Sequence, residues 1–381
     1  MIFIFILSAL ISLLWCFFTL WLRANWMRIP RLRRGESEWP AFSMSVIIPV
    51  RNEAANILNI LQDLENQSFD RKQFEVIIAD DGSEDGTPDL VRSFKASYSL
   101  RLINIKHKPG TIAFKKSSVS QAVAEAEHNY IFCTDGDCRL PVHLLRVHAR
   151  ALQAGAPFVS GPVALYPARN TFALLQQMEF ATLVGSGGAL LSAGIPAMCN
   201  GANISYSRDA FNKAGGYTGN MDIPSGDDEF LMHKIAAANP GKIKFLRESG
   251  ATVRTLPAPD AASFNAQRKR WAGKWTRYQS QKLKKIAISV FLFNLNFLLL
   301  PLFAFSNRYT AIALLVVLLI KITVEGGFIR QVYYDTGIEK WQARNHIALL
   351  MLQAIYPAYV VFFGIFGGLK KGYNWKGREV A

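Results

Sequence analysis

Three acidic clusters are the residues best able to do chemistry. Asp135-Gly136-Asp137 sets two carboxylates two residues apart, close enough to converge on one hard cation. Mg2+ and Mn2+ commonly take one or two carboxylates and complete their shell with substrate phosphates and water. A plain acidic turn is the competing reading. Asp80-Asp81-Gly82-Ser83-Glu84-Asp85-Gly86 fails as an EF-hand calcium loop, because counting from Asp81 places Arg92 where the closing Glu belongs. It is either a glycine-rich turn with a helix cap or a set of acceptors for a bound base or sugar. Gly226-Asp227-Asp228-Glu229 precedes the apolar Phe230-Leu231-Met232. Acids suit a helix N-terminus. The sharper alternative is a general base, one carboxylate taking a proton from an attacking hydroxyl.

A basic-aromatic stretch follows. Gln267-Arg268-Lys269-Arg270-Trp271 is succeeded by Lys274 and Trp275, and no acid occurs between Ala261 and Lys285. Three readings fit: an amphipathic helix at the membrane interface, a nucleic-acid contact, or diphosphate recognition by Arg270 above a sugar pocket floored by Trp271. Cys133 and Cys138 flank the Asp135–Asp137 turn, but no second pair of ligands accompanies them, so they read as ordinary thiols rather than a zinc site.

The segments that must carry these clusters alternate in period. Apolar runs at Ser45–Val50, Phe74–Ala79, Leu100–Ile105 and Tyr130–Cys133 read as buried strands. Asn52–Glu65, Thr87–Ser97 and Lys116–Glu127 have helical spacing between them. This alternation predicts an α/β fold with a parallel sheet and helices on both faces. Ligands in such sheets bind beyond the carboxyl ends of the strands, where the Asp80 and Asp135 clusters fall.

Both ends of the chain are apolar. Ile2–Leu22 carries no charge and is long enough to span a bilayer. It lacks the basic start and cleavage site of a signal peptide, so residues 1–22 are expected to be an anchor. Arg23, Arg28, Arg31, Arg33 and Arg34 follow, in a basic juxtamembrane linker over 23–40, and place that side in the cytoplasm. Further apolar runs cover Ile286–Ser306, Tyr309–Ile329 and His346–Leu369. Lys321 and Glu325 lie one helical turn apart and are expected to face the bundle interior. Pro357 and the basic tail over 370–381 (Lys370, Lys371, Lys376, Arg378) suggest that 346–369 is a re-entrant or interfacial hairpin, leaving the tail inside. The 381 residues contain 43 Lys and Arg against 28 Asp and Glu, a net charge of +15, which favours an anionic partner. Half of the residues are hydrophobic, which excludes a disordered chain.

In order and spacing, these motifs resemble the membrane-anchored glycosyltransferases of family 2, an inverting group with the GT-A nucleotide-sugar fold. Ile48-Pro49-Val50-Arg51-Asn52-Glu53 resembles the family's opening strand and loop, and Asp80-Asp81-Gly82-Ser83 its base-recognition segment. Lys115-Lys116 resembles a Gly-Lys motif whose Gly is absent here, and only Lys116 is carried over. Asp135-Gly136-Asp137 resembles the Asp-x-Asp motif, Cys199–Tyr206 the acceptor-side segment, Gly226-Asp227-Asp228 the base motif, and Gln267–Trp271 the Gln-x-x-Arg-Trp motif. Asn374–Arg378 resembles the tails of such enzymes.

The resemblance implies a GT-A domain over 41–260, a Rossmann-like mixed sheet inserted between N- and C-terminal transmembrane helices. It implies a basic interfacial helix over 261–285 and membrane segments over 286–369. Pro49, Val50, Glu53, Asp80, Asp81, Lys116, Asp135, Gln267, Arg270 and Trp271 would bind the donor. Asp135 and Asp137 would hold Mg2+ or Mn2+. Asp228, chosen over Asp227, would be the catalytic base, and Gly201, Ala202 and Asn203 would line the acceptor side. The implied donor is a nucleotide-sugar, most simply a UDP-sugar. The implied acceptor is a hydroxyl of a membrane lipid, a lipid-linked saccharide or a polymer at the cytoplasmic face of the cell (inner or plasma) membrane. Phe172–Met198 is a candidate segment leading to that acceptor, or else a buried core helix. No nucleic acid is expected; an oligomer or partner subunit could supply an export path. The alternative is a membrane-tethered nucleic-acid-binding protein or a non-catalytic scaffold.

Overall fold

The computed structural model describes residues 2–31, 42–273, 280–304, 308–366, 373–375 and 378–380. Most of the expected linker, Lys274, Trp275, Lys370, Lys371 and Lys376 lie outside the described residues.

The helices are α1 (Ile2–Arg28), α2 (Ile57–Glu65), α3 (Thr87–Ser93), α4 (Phe114–Glu125), α5 (Leu144–Gln153), α6 (Thr171–Ser192), α7 (Arg208–Lys213), α8 (Glu229–Ala238), α9 (Ala261–Ala272), α10 (Gln281–Leu299), α11 (Pro301–Ala304), α12 (Arg308–Thr336) and α13 (Ala343–Phe366). The strands are β1 (Met44–Val50), β2 (Phe74–Asp80), β3 (Ser99–Asn104), β4 (Tyr130–Cys133), β5 (Phe158–Ser160), β6 (Val163–Leu165), β7 (Ile204–Ser207), β8 (Lys244–Phe245), β9 (Val253–Thr255), β10 (Tyr373–Trp375) and β11 (Arg378–Val380).

Seven strands form one sheet in the order β3-β2-β1-β4-β7-β5-β8. The expected parallel part is present, since β1 pairs with both β2 and β4, and β2 with β3, all parallel. The sheet is mixed because β7 runs antiparallel to both β4 and β5. Side chains along β1 and β2 alternate between two cores. Val46, Ile48, Val76 and Ile78 pack with α2 and α5, whereas Ile47, Ile77 and Ala79 pack with α4 and α8. Each strand is buried on both faces, which is why it reads as a continuous apolar run.

The helix expected from Asn52 begins at Ile57. Asn52 adopts a left-handed φ of 53°, and its side-chain oxygen accepts the N–H of Glu84 at 2.9 Å. The N–H groups of Glu53 and Ala54 donate to Thr87 and Asp85. The turn after β1 is thereby fastened to the turn after β2 before the helix can start.

Among the described residues, three helices are long and apolar enough to cross a membrane: Ile6–Arg28, Arg308–Thr336 and Ala343–Phe366. The first runs past the expected anchor and takes in 23–28, part of the expected linker. The reason lies at its end, where the fully buried Trp26 donates to Asp335 of α12 at 2.7 Å and Arg31 forms an ion pair with the same carboxylate. The hairpin expected over 346–369 is overturned, because α13 continues through Pro357 as one helix. Neighbouring helices make an internal Pro tolerable in such a segment. Lys321 and Glu325 do face inward. Glu325 accepts from Lys321, from Trp15 of α1 and from Gln353 of α13, so one carboxylate ties three helices. Small residues let α6 pack closely against this bundle: a Cβ on Gly185 would strike Val332 and Phe328, and one on Gly188 would strike Trp26.

Candidate active site

The carboxyl ends of β1, β2 and β4 bring the first two acidic clusters side by side. Gly136 lets the second of these turns lie against β1 and its following loop, since a Cβ there would lie 2.9 Å from Val50 and 3.1 Å from Glu53. Asp135 and Asp137 flank that contact. Asp80 uses its carboxylate to hold the N–H of Ser83, and Asp81 engages the imidazole of His107. Pro49, Val50, Glu53, Asp80 and Asp81 therefore form a compact shelf at the strand ends. None of them lines the adjoining cleft.

That cleft has a volume of about 410 Å3 and gathers the remaining clusters. Asp135, Asp137, Gly201, Ala202, Asp227, Asp228, Gln267, Arg270 and Trp271 all line it. Asp228 caps α8 with a hydrogen bond from the Glu229 N–H at 2.7 Å, and its other oxygen accepts the Gly201 N–H at 2.8 Å. Charge-assisted bonds to both oxygens fix the carboxylate's orientation. Gly201 packs closely here, because a Cβ would sit 3.1 Å from Asp227 Oδ2 and 3.4 Å from Lys115 Nζ.

Lys115 joins the two acidic loops. Its Nζ lies 2.6 Å from Asp135 Oδ1 and 3.2 Å from Asp227 Oδ2. Burial alone would lower the ammonium, but the carboxylates of Asp135 and Asp227 outweigh it and hold the group well above the usual lysine value. The Asp137 side chain opens onto the cleft, yet loss of solvation to the surrounding protein, followed by the like charge of Asp135, raises it above the usual aspartate value. Asp135 and Asp137 thus form a hard-oxygen pair already facing a cation, which is the donor set Mg2+ or Mn2+ takes. Among the described residues no group of three or more His, Cys, Asp or Glu converges as a metal centre, here or elsewhere, so a cation at Asp135 and Asp137 would take its remaining ligands from substrate and water.

Besides the shelf residues, two further expected contacts lie away from the cleft. Lys116 is fully buried and donates to the carbonyls of Asn220 and Ile223 at 2.7 and 2.8 Å, holding the loop that leads to Asp227. Lys116 shares the inward face of α4 with Val119 and Val123, and that phase turns it from the cleft. The ammonium in the cleft is that of Lys115. Asn203 is also fully buried: its amide donates to Pro162 and Ala251, and its oxygen meets His148 Nε2 at 2.8 Å. Burial drives the His148 imidazole down to about 4, against the opposing hydrogen bond with Asn203. Cys133 and Cys138 are buried thiols, in keeping with the sequence.

Arg268 had no expected role. It is buried, forms an ion pair with Glu179 of α6, and lies over the rings of Phe264 and Trp271 at 4.6 and 4.2 Å. Glu179 also meets the hydroxyl of Tyr359 in α13 at 3.3 Å. Its signal is positional, since a basic residue between Gln267 and Arg270 cannot share their face of the helix.

Residues 45–215 match the sequence model of Glycosyl transferase family 2. The chain is 31% identical over 119 residues to the glycosyltransferase AglE of Haloferax volcanii, covering 31% of this chain and 36% of that protein. It is 21% identical over 146 residues to the poly-beta-1,6-N-acetyl-D-glucosamine synthase of Staphylococcus epidermidis, covering 37% of this chain and 34% of the synthase. The match thus spans about a third of the length of these relatives. Among solved structures, the mannosyltransferase PcManGT of Pyrobaculum calidifontis, in complex with GDP-Man and Mn2+, aligns over 92% of this chain and 95% of its own, with a TM-score of 0.52 and 18% identity. That likeness is one of fold alone.

Proposed function

We propose that this chain, whose residues 45–215 are a glycosyl transferase family 2 domain, moves a sugar from a nucleotide-sugar to a hydroxyl of a membrane-associated acceptor, the domain lying on the cytoplasmic face. The observation that carries this reading is one cleft lined together by Asp135, Asp137, Asp228, Arg270 and Trp271. The donor class follows from the family and from the GDP-Man carried by a protein of the same fold; a UDP-sugar remains our choice.

In this mechanism the strand-end shelf of Pro49, Val50, Glu53, Asp80 and Asp81 takes the nucleoside. Asp135 and Asp137 would hold Mg2+ or Mn2+, whose charge offsets that gathering on the leaving nucleoside diphosphate. Arg270 and Lys115 add fixed positive charge at the same place. Asp228 removes the proton of the acceptor hydroxyl. The hydroxyl oxygen then bonds to the anomeric carbon from the face opposite the diphosphate. The bond from that carbon to the phosphate oxygen breaks, the nucleoside diphosphate departs with the electron pair, and the configuration inverts. Gly201 and Ala202 form the acceptor wall, with Asn203 supporting them from below.

The geometry of α9 weighs against a nucleic-acid surface. Arg268 is consumed in a buried ion pair and Arg270 turns into the cleft. The test is nucleoside diphosphate release by the purified chain in detergent with a membrane lipid extract. A panel of nucleotide-sugars would be screened with Mn2+ or Mg2+, with and without chelator. Metal-dependent release with one donor is expected; no release from any donor, together with no UDP or GDP binding, would refute the reading.

A further inference from the structure

A second cavity, of about 540 Å3, lies between α6 and the long apolar helices, against the active cleft. Helix α6 is the wall between them. Phe180, Val184 and Gly187 face the cleft, while Thr182, Ser186 and Leu190 face the cavity. Leu183, Met198 and Trp271 line both, so the junction consists of three apolar side chains. Gly187 makes room for it, since a Cβ there would lie 2.8 Å from Met198. The far walls come from α1, α10, α12 and α13. The two acids in the lining already have protein partners: Glu179 pairs with Arg268 and Tyr359, and Glu325 with Lys321, Trp15 and Gln353. The rest of the surface is predominantly apolar.

We infer that this cavity seats the hydrocarbon chain of a lipid acceptor, whose hydroxyl-bearing end passes Leu183, Met198 and Trp271 to reach Asp228. The inference rests on the transferase reading and narrows its acceptor to a lipid. Three of the helices around the cavity are long and apolar enough to cross a bilayer, so lipid is the solute available to it. Chain and headgroup need different surroundings, and the two adjoining cavities, which share Leu183, Met198 and Trp271 in their linings, supply an apolar one and a polar one side by side. A water-soluble saccharide acceptor would use the cleft and leave the apolar chamber without a role.

The test has two arms, both on the full chain. In the first, a long-chain alkanol carrying a diazirine is photolysed with the protein in detergent, and adducts are mapped by peptide mass spectrometry. Adducts on α6 between Thr182 and Leu190 and on α10 between Ile286 and Val290 are expected. Ala287→Trp or Val290→Trp should reduce them several-fold, while Leu315→Trp, on the outward face of α12, should not. Labelling confined to outward faces, or unaltered by either cavity variant, would overturn the site.

In the second arm, labelled donor is incubated with protein and membrane lipid extract, and the ratio of solvent-extractable product to free sugar is measured. Ala287→Trp should lower that ratio several-fold, with UDP binding confirming an intact cleft. An unchanged ratio would show that the cavity holds structural lipid and not the acceptor. If the wild-type chain binds neither UDP nor GDP and releases no sugar from any donor, the transferase reading fails. The photolabelling arm needs no turnover and still decides whether the cavity takes a chain.

Discussion

The Asp228 carboxylate accepts the backbone N–H of Gly201 at 2.8 Å. The contact joins the short 3-10 turn Gly201–Asn203, which leads into β7 and begins the acceptor wall, to the N-terminus of α8. It places the proposed base beside the residues that must present a hydroxyl to it. Lys115 repeats the arrangement with charge, linking Asp135 to Asp227 across the same cleft.

Removing one carboxylate of the cation pair should separate metal affinity from folding. Asp137→Asn is expected to weaken the Mn2+ concentration dependence of turnover by more than about tenfold, since even groups one step removed from a metal commonly contribute that much. Metal titrations of activity, paired with a melting curve, read this. An unaltered metal dependence would remove Asp137 from the set.

The neighbouring lysines should part in their effects. Lys115→Met is expected to lower turnover by about 100-fold, as for loss of one charge-stabilising donor, with little change in the melting temperature. Lys116→Met should instead cost about 2–3 kcal/mol of stability, because two carbonyls lose a buried ammonium. Steady-state kinetics and thermal melts of both variants decide it, and the reverse assignment of effects would contradict the geometry.

Acid should weaken the domain through His148. Its folded value of about 4 lies below its ordinary 6.5, so between those limits the unfolded chain binds a proton that the folded chain does not. Stability is therefore full above about pH 6.5 and declines by up to about 3 kcal/mol as the pH falls to about 4. His148→Gln, which cannot titrate, should flatten that limb in melts taken across the range; an equally steep limb would place the titration elsewhere.

The Arg268–Glu179 pair should be strongly coupled. Either single apolar substitution strands a buried charge and is expected to cost about 3–5 kcal/mol. The double variant Arg268→Met with Glu179→Leu should recover much of this in a double-mutant cycle. Additive losses would show that the pair is not an energetic unit.

The strand–helix alternation through β4 and the three acidic loops were legible because buried strands leave unmistakable apolar runs and their ends carry the polar residues. The phase of α4 was less legible. Two adjacent lysines differ only by their place on the helix, and Val119 with Val123 assigns Lys116 to the core side. The antiparallel β7 was hidden because it pairs with residues distant in sequence, and local pattern does not encode pairing direction. Pro357 reads locally as a break, yet packing from neighbouring helices carries α13 through it. The apolar chamber is invisible for a related reason, being made by six helices that only tertiary structure brings together.

The most direct test of the central claim compares wild-type protein with Asp228→Asn at saturating nucleotide-sugar, measuring both sugar transfer and nucleotide binding. Transfer should fall by about 100-fold or more, as for loss of a general base, while UDP affinity stays within a small factor of wild type. Near-normal transfer by Asp228→Asn would contradict the account at its centre.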